Sequence, residues 1–520
     1  MILDQETENS FETDKNAIAT LPKAETAEKQ TAEEVHESEE RPESIGTIYG
    51  DVGTNEFKFS VLTKAERSDY ISVDHPDCGP VLCQVSSIIR KTNYTLDKSL
   101  KADSDDEIEE KLSAQADVIG YRDDKGLLQI PRTTFKAGSE VYTADPQFIK
   151  KVLGLKTNPK KCAYIGLLRG YDMPLMLDIN ELVQRHVCIL AKTGGGKSYI
   201  SGDIIEELMK HDVTCVIIDP HGEYGAMRNP GTSEDPKFNV SPHGYDDKII
   251  EFGMTDGPNI KPLRFTFKSL DARDILDLFQ TGDVRNQLPV LKKALDSLRE
   301  KKDLYSIKDL IEEITSEGRG HPLLVSELEY LDEIGLFAER GNHITELIQK
   351  GKTTIINLKG VAPDVQQLIV RRWGILLFEL RKMDRIPPLM MVIEEAHNYC
   401  PQNENTLCKK SLSTIASEGR KFGLGLMVIS QRPAKIDKNV LSQCGTQIVL
   451  KVTNPNDLKA IAASMEGLTA GMEQDIQGLP IGTALVVGSG IQTPMLVEVR
   501  PRESKHGGAS VQIIGDDNDE

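Results

Sequence analysis

AKTGGGKSY, residues 191–199, decides the reading of this 520-residue chain. It departs by one residue from the phosphate-loop pattern G-x-x-x-x-G-K-[ST], with Ala191 in place of the first glycine. An apolar run, HVCIL (186–190), leads into it. A helical pattern leaves it, with Ile200, Ile204, Ile205 and Leu208 on one face. Strand, loop and helix in that order are what a phosphate loop needs. Gly194, Gly195 and Gly196 let backbone N–H groups turn inward with no Cβ in the way. The helix N-terminus behind them favours anionic charge. Lys197 is expected to reach the β- and γ-phosphates of a nucleotide, and the Ser198 hydroxyl to be a ligand of Mg²⁺. Residue 191 shapes the entry to the turn more than it donates to phosphate, so its methyl is expected to be tolerated. The competing reading is a glycine-rich helix cap with no ligand.

A second motif bears on that choice. LMMVIEEAHNY (389–399) is an apolar strand ending in two carboxylates. In nucleoside triphosphatases the first acid at such a strand end serves the Mg²⁺ shell, and a neighbouring acid orients and deprotonates water. This assigns Glu394 to the metal side and Glu395 to the base. ASEGRKFGLGLMVISQRP (416–433) follows. Gln431 stands directly after its strand, where a polar side chain senses a γ-phosphate. Arg420 lies before the strand, where a loop arginine can serve a neighbouring subunit's site. IIDPHGEY (217–224) puts Asp219, His221 and Glu223 at the carboxyl edge of the sheet, where open α/β proteins bind ligands. For His221 a structural turn is at least as good a reading.

Six continuous apolar runs, 186–190, 213–219, 353–358, 389–394, 424–430 and 446–452, read as central strands of a parallel sheet covered by helices. Helical patterns at 197–211 and 365–383 lie between them. The segment 270–350 carries i, i+3, i+4 apolar spacing and reads as an inserted helical subdomain. Residues 44–160 differ: short β-like runs separated by Gly, Asp and Asn turns suggest a small barrel. The expected division is an acidic disordered extension (1–43), the barrel (44–160), an α/β core in two parts (161–269 and 351–500) around the insertion (270–350), and a terminal segment (501–520).

The net charge of −19 is concentrated at a few places. Residues 1–43 hold 13 acidic against 4 basic side chains, and 101–111 and 516–520 are acidic too. What remains is close to neutral, so the global charge does not exclude nucleic acid. The N-terminus is acidic, without the basic start or apolar stretch of a signal peptide, and no run is long enough to span a membrane. A cytoplasmic protein with eight reduced cysteines is expected.

Together AKTGGGKS, IIDPHGEY, VIEEAHNY, EGRKFGLGLMVISQRP and VEVRPRESKHGG resemble the HerA branch of the FtsK–HerA superfamily of hexameric DNA-pumping ATPases. The resemblance covers about 44–508. It implies a RecA-like P-loop NTPase core with a mainly parallel α/β sheet. It also implies a homohexamer around double-stranded DNA, working with a NurA-type nuclease in end resection and recombination repair. It implies an ATP site made by Thr193, Gly194, Gly195, Gly196, Lys197, Ser198 and Tyr199, with Mg²⁺ on Ser198 and Glu394. Glu395 completes the acidic pair, Gln431 is the sensor, Arg420 the trans finger, and Arg185 a further nucleotide contact. Ser504 and Lys505 are expected to brace a neighbouring subunit near its nucleotide. The acidic extension is outside the family core. A conjugation- or secretion-type pump and a passive nuclease scaffold are the alternatives. Lys409, Lys410, Lys435 and Lys438 are candidates for gripping DNA.

Overall fold

A computed structural model describes residues 43–93, 109–232, 234–254, 257–276, 278–279, 284–316, 321–488 and 491–508. The acidic extension, the acidic stretch near 105 and the terminal DDNDE lie outside the described residues.

Seven strands come first: β1 (Ser44–Tyr49), β2 (Glu56–Val61), β3 (Tyr70–His75), β4 (Gly79–Thr92), β5 (Glu110–Arg122), β6 (Leu128–Gln129) and β7 (Glu140–Thr143). They pair in the order β2-β1-β7-β3-β4-β5, and β5 returns to β2, so six strands close a barrel with β6 appended. The closure follows from the period-two pattern. In β2, Phe57 and Phe59 are buried while Glu56 and Lys58 face out.

A twelve-stranded sheet follows. Its strands are β8 (Cys162–Leu168), β9 (Pro174–Asp178), β10 (Val187–Leu190), β11 (Thr214–Asp219), β12 (Ile249–Gly253), β13 (Ile260–Pro262), β16 (Thr353–Asn357), β17 (Leu389–Ile393), β18 (Leu424–Ser430), β19 (Thr446–Val449), β20 (Thr483–Gly488) and β21 (Ile491–Val499). The order is β13-β12-β16-β11-β17-β18-β10-β19-β20-β21-β8-β9. The strands from β13 to β19 run parallel and the last four are antiparallel. All six apolar runs of the sequence are parallel strands at its centre. A minor pair, β14 (Phe265–Thr266) with β15 (Phe337–Ala338), stands apart.

Alternate residues of the central strands feed two cores. Val187, Ile189, Cys215 and Ile217 join one, with the helices Pro146–Leu153, Ile179–Gln184 and Lys197–Lys210. Cys188, Leu190, Val216 and Ile218 join the other, with the helices Pro363–Lys382, Lys409–Glu418 and Pro455–Ser464. Runs apolar on both faces are thereby explained. The helices of the insertion, Val284–Lys301, Ile307–Ser316 and Pro322–Ile334, bury Leu291, Leu310 and Leu328 in that second core rather than in a core of their own. All eight cysteines are free. Among the described residues no helix is long and apolar enough to cross a membrane.

Candidate nucleotide site

Helices cover both faces of the sheet, so polar ligands are confined to its edges. A cavity of about 830 Å³ opens at the carboxyl ends of the parallel strands. The phosphate loop leaves β10 there. Gly194 and Gly196 have φ of +71° and +91°, conformations that side chains rarely adopt, which accounts for glycine at both positions. Ala191 is fully buried, and its N–H donates to the Ser430 carbonyl at 3.2 Å. It is absent from the residues with positive φ, so the turn does not require glycine there. Thr193, Gly194, Gly196, Lys197, Ser198 and Tyr199 line the cavity; Gly195 completes the loop backbone.

Glu394 follows β17 and is almost entirely buried. Its Oε2 accepts a hydrogen bond from the Tyr224 hydroxyl at 2.7 Å, and that hydroxyl also meets Ser201 Oγ at 2.7 Å. Burial pushes the Glu394 carboxyl up to about 8. Tyr224 was missed as a site residue. Asp219 delivers it: the buried carboxylate accepts from the N–H groups of His221, Gly222 and Tyr224 at 3.3, 2.8 and 2.9 Å. Asp219 therefore shapes the turn, while His221 and Glu223 line the cavity. An acid closing a strand and followed by a glycine turn was the available signal.

Glu395 has φ +49°, the strained left-handed region, which turns its side chain back toward the loop. Its Oε1 is 3.8 Å from Lys197 Nζ, and both side chains are about nine-tenths buried. Its Oε2 is buried with no hydrogen-bond partner, although His397 Nδ1 stands 3.2 Å away. The Arg432 N–H donates to Ser430 Oγ at 3.0 Å. Ser430 Oγ in turn stands 3.0 Å from His397 Nδ1. Burial, then the Arg432, Lys435 and Lys197 charges, lower the His397 ring to about 4, so it is neutral. The cavity thus holds a cation, a free carboxylate oxygen and a glycine cradle together. Gln431 reaches the same place, where its side-chain oxygen accepts from the Thr193 hydroxyl.

These residues fit Mg²⁺ with a polyphosphate. Among the described residues no three His, Cys, Asp or Glu side chains gather into a protein-only cage. Ser198 and Glu394 supply hard oxygens, and Mg²⁺ ordinarily takes its other ligands from substrate and water.

Four other expected site residues, Arg185, Arg420, Ser504 and Lys505, lie elsewhere. Arg185 and Arg420 are exposed and precede β10 and β18, at the amino edge of the sheet. The seven-residue strand β18, about 20 Å long, separates Arg420 from the cavity, and neither arginine lines the cavity of its own chain. Lys505 is exposed, and its N–H donates to the Asn229 carbonyl at 2.8 Å. Ser504 is buried, its hydroxyl and N–H both on Glu206 Oε1 at 2.6 and 2.9 Å. The terminal strap lies along its own phosphate-loop helix, and His506 and Gly508 are the strap tip's contribution to the cavity.

That strap makes a buried ion network absent from the sequence reading. Arg500, fully buried, meets Glu206 and Glu207 at 3.0 and 3.2 Å. Arg502 lies over Gly202, where a Cβ would come within 2.5 Å of the guanidinium. Its N–H donates to the Tyr199 hydroxyl at 2.8 Å, and Nη1 reaches the Ser198 carbonyl at 3.4 Å. Of the candidate DNA-gripping lysines, Lys409 is paired with Asp437 at 3.2 Å, while Lys410, Lys435 and Lys438 are exposed.

The family model described as "Helicase HerA, central domain" matches residues 163–373. The DNA double-strand break repair helicase HerA of Sulfolobus acidocaldarius is 30% identical over 367 residues, covering 67% of this chain and 71% of that protein. A probable helicase of Methanocaldococcus jannaschii is 28% identical over 510 residues, covering 91% and 93%. VirB4 of Thermoanaerobacter pseudethanolicus superposes with a TM-score of 0.50 at 16% identity, covering 67% of this chain and 98% of that one, a likeness of fold alone. The phosphate loop, the acidic pair and this extended similarity have one conclusion: the chain belongs to the HerA helicase family.

Proposed function

We propose that this chain is an ATP-driven double-stranded DNA translocase and helicase, working as a homohexamer with a NurA-type nuclease in end resection and recombination repair. The names of its HerA relatives support DNA repair as the setting. The observation that carries the mechanism is the separation of arginine from cavity. Among the described residues, the arginine lining the cavity is Arg500, whose guanidinium is spent on Glu206 and Glu207. Phosphoryl transfer to water gains greatly from a cation on the γ-phosphate beyond the loop lysine. Arg420, with Arg185 beside it on the amino edge, supplies that cation to the next copy's site.

Within one site the loop backbone and Lys197 hold the phosphates. Glu395 accepts the proton of the attacking water through its free Oε2. Gln431, fixed by Thr193, sits against the γ-phosphate and reports its loss to β18. Ser198 and Glu394 would hold Mg²⁺, which would supply charge neutralisation for the phosphates. Loss of the γ-phosphate loosens the contact with the neighbour's arginines. That movement shifts the surfaces carrying Lys410, Lys435 and Lys438 against DNA phosphates.

ATP turnover with and without linear duplex DNA tests this reading. Stimulation by duplex is expected, weakening steeply with salt and lost in Lys197→Ala. Turnover indifferent to DNA would overturn it.

A further inference from the structure

Arg185 and Arg420 belong to segments far apart in sequence, yet both must present their guanidinium groups to one neighbour. Between them lies His186. It is 2% exposed and has φ +58°, outside the range that a histidine ordinarily adopts. Its ring spans the two segments flanking Arg420. The N–H of Leu426, in β18, donates to Nδ1 at 2.9 Å. Nδ1 is therefore the acceptor, and the proton sits on Nε2, 3.0 Å from the Ala416 carbonyl near the end of the helix Lys409–Glu418. Arg420 lies on the single turn Gly419–Phe422 between those two anchors. On the main-chain side, the Arg185 carbonyl accepts from Gly445 N–H at 2.6 Å and the His186 carbonyl from Thr446 N–H at 3.2 Å, tying the same corner to β19. Burial, with the Arg420 charge nearby, holds the ring below its ordinary range and so neutral, as one donor and one acceptor require.

We infer that His186 is a positioning residue that sets Arg185 and Arg420 in a fixed relation at the amino edge, so that the two act as one unit on a neighbouring copy's nucleotide. The inference rests on the proposed trans role of those arginines. The left-handed backbone at 186 turns Arg185 outward while the imidazole points in, and the two ring hydrogen bonds fix the turn bearing Arg420.

Mixed complexes test this. A copy with Glu395→Gln has a dead site and intact arginines; a copy with Arg420→Ala has an intact site and no finger. Their mixture restores turnover if the arginine acts in trans. His186→Gly keeps the positive φ and removes both ring bonds; His186→Asn tolerates the same φ and keeps a short amide. Added to the Glu395→Gln copy, His186→Gly is expected to cut the restored turnover by about tenfold or more, since ångström-scale misplacement is costly, and His186→Asn less. Added to the Arg420→Ala copy, the same change is expected to leave turnover and the KM for ATP unchanged. Equal losses in both roles, or none in either, would overturn the positioning role. Failure of the parental mixture would instead overturn the trans reading, and this inference with it.

Discussion

Arg420 and Gln431 stand at opposite ends of one strand, β18, so a change felt at one end is borne by the backbone leading to the other. Gln431 is hydrogen-bonded to the phosphate loop through Thr193, and Arg420 is exposed at the far edge. The strand runs antiparallel to nothing and is buried throughout, which makes it a stiff link between a chain's own site and its neighbour's. Gln431→Ala removes the contact but not the cradle. ATP binding is expected to change little and turnover to fall by roughly tenfold or more, read as kcat against nucleotide affinity.

Glu395→Gln leaves the shape of the site but removes its base. Hydrolysis is expected to fall by about 10² to 10⁴ while nucleotide still binds, as equilibrium binding of a fluorescent nucleotide would show. Loss of binding would mean that Glu395 holds the loop lysine rather than water.

His397 gives a pH signature. Its ring is lowered to about 4 in the folded chain, whereas an unfolded histidine titrates near 6.5. Between those values the unfolded state binds the extra proton. The contribution is fully present above about 6.5 and is lost as pH falls toward 4. Denaturant unfolding from pH 7 to 4 should show this slope, and His397→Gln should flatten it by up to about one proton.

The strap network should dominate stability around the loop helix. Arg500→Met removes the buried guanidinium shared by Glu206 and Glu207, leaving them Arg502 at 3.6 Å and Lys210 at 2.8 Å respectively, and about 3–5 kcal/mol is expected to be lost. Adding Glu206→Gln and Glu207→Gln should recover part of it in urea unfolding. Gly202→Ala should displace Arg502, whose contacts with Ser198 and Tyr199 steady the nucleotide end of the helix. A raised KM for ATP is expected there, with a lowered melting temperature.

Much of this was legible because parallel strands buried on both faces leave continuous apolar runs. Where that signal is interrupted, the sequence is silent. β12 contains Glu251, whose carboxylate is satisfied by Asn357 at 2.8 Å, and β13 is three residues long and ends in proline; neither reads as a sheet strand. The helix Lys197–Lys210 was legible from its apolar face of Ile200, Ile204, Ile205 and Leu208. Its acidic residues Asp203, Glu206 and Glu207 are buried too, because Arg500 and Arg502 arrive from some 300 residues downstream. Periodicity carries no record of so distant a partner. The positions of Lys197 at the end of the phosphate loop and of Glu395 and Gln431 just after their strands were legible from the motifs. Tyr224 was not, because its role depends on a turn built by Asp219.

The central claim is that one chain's hydrolysis site is completed by another chain's arginine. Turnover of Glu395→Gln and Arg420→Ala proteins, each alone and then mixed in equal amounts, tests it most directly. Each alone is expected to be nearly inactive, and the mixture to regain a substantial fraction of normal turnover. A mixture no more active than its parts, from proteins shown to assemble together, would contradict the account.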